Sequence, residues 1–215
     1  MSHPTITALR SLVDSRFPTS VRRTGEAVSI GVPAIDGALG GGLPAGQLTE
    51  LVAPLASGGQ LVFAQLLLTT RTARQRVALI DAADSFAPEA IPADALRHLV
   101  WVRPRKLDEA LAAADVLVRD GNYAAVILDL RGVASRELNR TPKTLWHRLH
   151  RAAANQPGAV LVLTADPIVP SVPWRLVLSS PTEGFSPRLP RGELIARLSV
   201  AITRGHANAF EELAG

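Results

Sequence analysis

The chain has no cysteine among its 215 residues. That excludes a disulfide framework, a thiolate zinc site and a cysteine nucleophile, and it fits a reducing compartment. Aromatic residues make up only 4% of the sequence, and the apolar set is mostly Ala, Leu and Val. Such a set suits helices packed tightly on a sheet. No apolar run approaches the roughly 20 residues that a membrane helix needs. The opening stretch, MSHPTITALRSLVDSRFP, has no long apolar core, so no secretory signal is expected. Neither a GxSxG nor an SxxK pattern occurs, which leaves no serine nucleophile to argue for.

What is present describes a folded α/β chain. Apolar residues form 47% of it and charged residues 20%, enough for one well-buried domain. The formal net charge of +4 leans weakly toward an acidic partner such as nucleic acid. Residues 1 to about 25 read as a short helix and loop, with Leu9, Leu12 and Val13 at helical spacing and Pro18 closing the segment. Ile35, Ala38 and Leu39 suggest a second short helix, ended by Gly40-Gly41-Gly42. The apolar runs LTELV, RVALIDA, HLVWVRP, AAVILDL and AVLVLTAD read as strands buried on both faces. Between them lie an apolar helix at 61–72 and an amphipathic helix with Leu107, Leu111, Ala114 and Val118 on one face. A third helix, TPKTLWHRLHRAAANQ, has Thr141 placed as a cap and Pro142 at its first position. WRLVLSS and IARLSVAIT read as two closing strands, an antiparallel edge pair. Alternating strands and helices imply a mostly parallel central sheet flanked by helices. The expected organisation is an N-terminal arm at 1–28 and one core domain at 29–215.

In such sheets ligands bind beyond the C-terminal ends of the strands, near a helix N-terminus. The stretch ELVAPLASGGQLVFAQLL, residues 50–67, has that position. A strand enters a run of small residues and an apolar helix leaves it, as around a phosphate-binding loop. The loop reads Ala53-Pro-Leu-Ala-Ser-Gly58-Gly59-Gln60 where GxxxxGK[ST] would be expected.

Four stretches carry a resemblance to the RecA-type ATPase core. IDGALGGGLPAGQLTELVAP is similar to the segment entering the nucleotide loop, and VALIDAADSFAP to the strand that bears the catalytic glutamate. EALAAADVLVRDGNYAAVILD resembles the helix and the Walker B strand, and ELIARLSVAITRGHANAF the closing hairpin. The matches follow family order across roughly residues 29–210. By that resemblance the loop lysine falls on Gly59, the Mg²⁺-ligating hydroxyl on Gln60 and the catalytic glutamate on Ala83, while the Walker B aspartate stands as Asp129. The polar γ-phosphate sensor falls near Ala165 and Asp166, and the segments that bind DNA in RecA filaments are short. The degraded pattern resembles two RecA-like groups of the bacterial DNA-damage response: the ImuA accessory proteins of translesion synthesis and the SulA-type division inhibitors.

The resemblance implies a cytoplasmic protein that is not an enzyme, a pseudo-ATPase without a resident cofactor. It would act by protein–protein binding in SOS mutagenesis, with a Y-family-like polymerase subunit or RecA itself as partner, without a membrane. ATP with Mg²⁺ is the alternative cofactor reading. A divergent ATP-dependent recombinase that binds DNA, or a division inhibitor, is the alternative function. Residual anion binding would use Ser57, Gly58, Gly59, Gln60 and Asp129, since backbone N–H groups at a helix start attract anions. Asp129, and with it Asp81, also suits a purely structural hydrogen-bonding role. Arg131, Arg136, Arg140, Lys143, Arg148 and Arg151 form a basic group for nucleic acid or an acidic partner, with Arg97, Arg103, Arg105 and Lys106 as a second. His147 and His150 lack a third ligand, so no metal is assigned. Trp101 and Trp146 read as core, and Trp174, after Pro173, as an exposed loop aromatic. The N-terminal helix ending at Phe17-Pro18, and Phe210 and Leu213 in the tail, are candidate docking elements for self-association or a partner.

Overall fold

The fold follows from the need to cover strand runs on both faces. The structure is a computed structural model that describes residues 26–54, 56–82, 84–179 and 189–204. After a short helix α1 (Pro33–Ala38) come strand β1 (Leu48–Val52), helix α2 (Gly59–Thr72) and strand β2 (Val77–Asp81). A one-turn helix α3 (Ala93–Leu96) precedes β3 (Leu99–Val102), α4 (Leu107–Asp120) and β4 (Ala125–Asp129). Then follow α5 (Ser135–Leu138), α6 (Lys143–Ala154), β5 (Ala159–Thr164), β6 (Trp174–Leu178), α7 (Arg191–Ala196) and β7 (Val200–Arg204). The sheet order is β3-β2-β4-β5-β1-β6-β7, parallel throughout except for antiparallel β7 on β6. This is the expected mostly parallel sheet with an antiparallel edge pair.

One core layer lies under α1 and α2, where Ile35, Val62, Leu66 and Leu67 meet Leu51, Leu79 and Ile127. The other lies under α4 and α6, where Leu111, Ala114, Trp146 and Leu149 meet Ile80, Leu128 and Val162. The α4 stripe predicted from Leu107, Leu111, Ala114 and Val118 is buried as written in its spacing. No helix of the described residues is long and apolar enough to cross a membrane.

Four local expectations are corrected. HLVWVRP is not buried on both faces: β3 stands at the sheet edge, half-buried, with Val100 38% exposed. Thr141 does not cap α6: Pro142 holds the N-cap position, and the Thr141 hydroxyl has no hydrogen-bond partner. IARLSVAIT is not one strand, because Ile195 and Ala196 end α7 and pairing begins only at Val200. Trp174 is not a loop residue. It opens β6 half-buried, with the Arg204 guanidinium 5.0 Å from its ring centroid. The candidate docking elements at the N-terminus and at Phe210 and Leu213 lie outside the described residues.

Glu50 lies at the middle of β1 and is fully buried. Its carboxylate accepts bonds from Thr164 Oγ1 (3.0 Å), the backbone N–H groups of Ile168 (2.8 Å) and Val169 (3.0 Å), and Arg175 Nε. Arg175 also donates to the Val169 carbonyl at 2.7 Å. The 165–173 connection is thereby closed onto β1. Breaking a buried pair leaves an uncompensated charge, so Glu50→Ala is expected to lower unfolding free energy by about 3–5 kcal/mol in urea titration. A loss within experimental error of zero would refute this account of the connection.

His150 on α6 is held neutral. Burial drives its pKa down to about 4, His147 adds to the effect, and the Pro170 backbone opposes it. A folded pKa below the unfolded one means stability is complete above the unfolded value near 6.5 and is lost as pH falls toward 4. Unfolding free energy should therefore drop by up to roughly 3 kcal/mol over that window. The His150→Gln protein should show a flatter pH profile in the same measurement, and an unchanged slope would sink the assignment.

Candidate functional site

The C-terminal end of β1 runs into the loop at 53–58, and α2 starts directly after it. Ala56 (φ 62°) and Gly58 (φ 97°) both take left-handed backbone, which turns the chain sharply into the helix. Close approach explains the two glycines. A Cβ at Gly58 would lie 2.6 Å from Leu198 Cδ2, and one at Gly59 would lie 2.7 Å from an Arg131 guanidinium nitrogen (NH1) and 2.8 Å from the Ala53 Cβ. Ser57 is fully buried, and its hydroxyl oxygen has no hydrogen-bond partner.

Asp129, at the end of β4, is almost wholly engaged. Its Oδ1 accepts from the Arg131 backbone N–H (3.1 Å) and Nε (2.9 Å), and its Oδ2 from Arg131 NH2 and from Ser85 Oγ (3.2 Å). Gln60 Nε2 reaches the same serine, donating to its carbonyl (2.9 Å) and to Oγ (3.0 Å). The structure thus links Gln60, Ser85, Asp129 and Arg131 into one network at the mouth of the loop. Asp81 holds the Ser85 turn in place, accepting from the N–H groups of Ser85 (3.1 Å) and Phe86 (3.2 Å) and from Trp101 Nε1 (3.3 Å). The Phe86 ring is wedged edge-on between Phe63 and Trp101 at 5.2 and 5.1 Å. Ala83, the position matched to the family's catalytic glutamate, lies outside the described residues.

This donor set does not fit a divalent metal. Mg²⁺ needs oxygen ligands in open octahedral positions. Here the carboxylate is spanned by a guanidinium, and position 60 turns an amide nitrogen toward Ser85. Among the described residues no group of three or more His, Asp or Glu side chains is placed to hold a metal.

The predicted basic surface divides. Arg131 does not belong to it: its side chain is 14% exposed and turned inward onto Asp129, which is 5% exposed. The physical reason is the turn after β4, closed by Leu130 N–H to Leu163 O and Val133 N–H to Leu130 O, which folds position 131 back over the strand end. Arg148 is exposed but paired with Asp115 at 3.4 Å. Arg136, Arg140, Lys143 and Arg151 remain on the surface. In the second basic group Arg103 is bound to Asp84 and lies over Trp101, 5.1 Å from its centroid. Asp166 accepts a 2.6 Å bond from Ser135 Oγ. Sequence reasoning missed Ser85 and the inward role of Arg131. The one available signal was the spacing of two between Asp129 and Arg131, which suits an aspartate bonding the backbone just after it.

At the far edge of the sheet, among the described residues, β3 pairs with β2 alone. Val100, on the α4 face of that strand, is 38% exposed, and Val116 on α4 is 66% exposed. Half-buried Val102, Ala113 and Leu117 lie on the same face.

A family model described as the RecA N-terminal domain matches residues 16–139. The chain is similar to Protein RecA of Rubrobacter xylanophilus, 36% identical over 107 residues, which is 48% of this chain and 31% of that protein. Protein RecA of Streptomyces venezuelae is 32% identical over 108 residues, 48% of this chain and 28% of the relative. The match thus spans about a third of the length of these curated relatives. Among solved structures the fold resembles the RadB recombinase, with a TM-score of 0.57 and 22% identity over 70% of this chain and 82% of that one. These relatives correct the expectation that the chain is not an enzyme and is a probable pseudo-ATPase: they bear the names RecA and RadB recombinase. The physical weakness of that expectation lies in its charge count. It took the missing lysine as the loss of the loop's full positive charge, whereas Arg131 brings one to Gly59 from the end of β4.

Crowding at the loop gives a direct test. Gly59→Ala should lower stability by about 1–3 kcal/mol through overpacking. Gly37→Ala in α1, where nothing lies within 4 Å of the added Cβ, should raise stability by about 0.5–1 kcal/mol. Equal melting-temperature shifts for the two would refute the close approach of Arg131 and Ala53.

Proposed function

The chain belongs to the RecA N-terminal domain family, and from that membership we propose that it serves bacterial DNA-damage tolerance by docking a protein partner on the β3 edge. The observations that support this are exposed Val100 on β3, which among the described residues pairs with β2 alone, and exposed Val116 on α4. An edge strand presents a row of unpaired N–H and C=O groups, and proteins that leave one open beside apolar side chains use it for pairing. Added strands gain affinity from main-chain bonds and specificity from side-chain contacts on one face. In this reading the chain acts as an ImuA-like accessory protein of translesion synthesis in the cytoplasm. The partner is a Y-family-like polymerase subunit, RecA, or a second copy of the chain.

Exposed Arg136, Arg140, Lys143 and Arg151 favour nucleic acid as a second contact. Phosphate neutralisation makes such binding fall steeply with salt.

Biolayer interferometry with the full chain against the RecA and the Y-family polymerase of the same organism tests the main reading, with sedimentation of the chain alone reporting self-association. The Val100→Asp/Val116→Glu protein should lose at least tenfold in affinity, or dissociate, with its melting temperature kept. Unchanged affinity would place the interface elsewhere. Arg140→Glu/Lys143→Glu should weaken single-stranded DNA binding at low salt without touching the protein contact.

A further inference from the structure

Thr141 stands just before α6 with the chemistry of a cap, yet it caps nothing. Its hydroxyl oxygen is buried and no protein group bonds it. A buried hydroxyl left without a partner costs free energy. Thr141 forms part of the wall of a cavity of about 320 Å³, set between the start of α4 and the turn that joins α5 to α6. Small-molecule sites fall at about 300–1,000 Å³. The cavity shares no lining residue with the network around Asp129 or with β3.

Its lining changes character from the inside to the rim. Leu107 is buried and Leu145 half-buried, and both belong to the core layer under α4 and α6. The interior is therefore apolar, with the Thr141 hydroxyl as its polar atom. Lys106, Asp108, Glu137 and Arg140 are exposed and make the rim. Among the described residues the ion pairs of α4 and α6 are Arg119–Asp115 and Arg148–Asp115, and none of the four rim charges enters one. The rim thus carries both signs, uncommitted and balanced. A singly charged ligand meets repulsion from one pair as it gains attraction from the other. A zwitterion satisfies both. The first N–H groups of α4, a 14-residue helix whose N-cap Lys106 makes no side-chain cap bond, add donors for the anionic end.

We propose that this cavity binds a free α-amino acid whose apolar side chain ends in a hydrogen-bonding atom. The dipolar head sits on the rim, its ammonium toward Asp108 and Glu137 and its carboxylate toward Lys106 and Arg140. The side chain runs inward along Leu107 and Leu145, and its polar tip pairs with the Thr141 hydroxyl. Tyrosine has this order of parts: a charged head, an apolar ring and a phenol. A threonine hydroxyl both donates and accepts, so it can serve the phenol in either sense.

The test is titration of the isotope-labelled full chain with L-tyrosine, L-phenylalanine and N-acetyl-L-tyrosinamide, followed by backbone amide chemical shifts. Tyrosine should shift the amides of Leu107, Asp108 and Thr141 and bind more tightly than phenylalanine. N-acetyl-L-tyrosinamide keeps the phenol but has no charged head. It should bind about tenfold or more weakly than tyrosine, the scale of lost charge-assisted bonds. Thr141→Val removes a hydroxyl that no protein group uses, so the melting temperature should be kept. It should weaken tyrosine by about two- to tenfold, the scale of one neutral hydrogen bond, and leave phenylalanine unchanged. The proposal is overturned if tyrosine at its solubility limit shifts none of these amides. Equal binding of N-acetyl-L-tyrosinamide overturns it too, because a tyrosine side chain of another protein would then be the ligand. So does a preference for tyrosine that survives in Thr141→Val. None of these readouts involves Val100 or Val116, so failure here is distinct from failure of the β3 edge.

Discussion

A carboxylate in the middle of a parallel sheet must be answered within the sheet itself, and Glu50 is answered from both neighbouring strands. Thr164 donates from β5 and Arg175 from β6, while two backbone N–H groups come from the connection between them. Charge in a low-dielectric interior tolerates no half-measures. The network therefore fixes the spacing of β5, β1 and β6 and folds the 165–173 connection over the strand ends. The loop after β1 starts three residues beyond that anchor, and its Ala53 N–H bonds the Thr164 carbonyl at 2.8 Å. The start of α2 inherits its position from this arrangement.

The second charged pair, Asp129 with Arg131, organises the chemistry rather than the sheet. Asp81 fixes the turn that carries Ser85, and Ser85 joins Gln60 to Asp129. Residues from the ends of β2 and β4 and from the first turn of α2 thus form one polar assembly beside the loop. The cation of the assembly is Arg131, held on Asp129 at the end of β4.

The fold was legible because its signals are local. Unbroken runs such as VALID and AVILD permit little except buried strands, and each is buried along its whole length. The spacing of Leu107, Leu111, Ala114 and Val118 gave the buried face of α4 for the same reason. Errors arose where a local rule met a tertiary alternative. Thr141 had capping chemistry, but the following proline took the N-cap position. IARLSVAIT had strand character, but its first residues were used to end α7. Glu50 and Ser85 gave no sign of their roles, because their partners lie 114 and 44 residues away at Thr164 and Asp129.

The sequence by itself determined the parallel α/β architecture, the position of the loop at a strand end and the absence of a lysine from it. Periodicity and residue identity are enough for those, since each depends on neighbours in the chain. Only the tertiary structure decided that Arg131 turns from the expected basic surface toward the loop, that Asp129 is its partner, and that Val100 on the edge strand and Val116 on α4 are exposed. Spacing does place a charge near a strand end. Which way that charge points depends on the nearest buried counter-charge and on the turn that carries it.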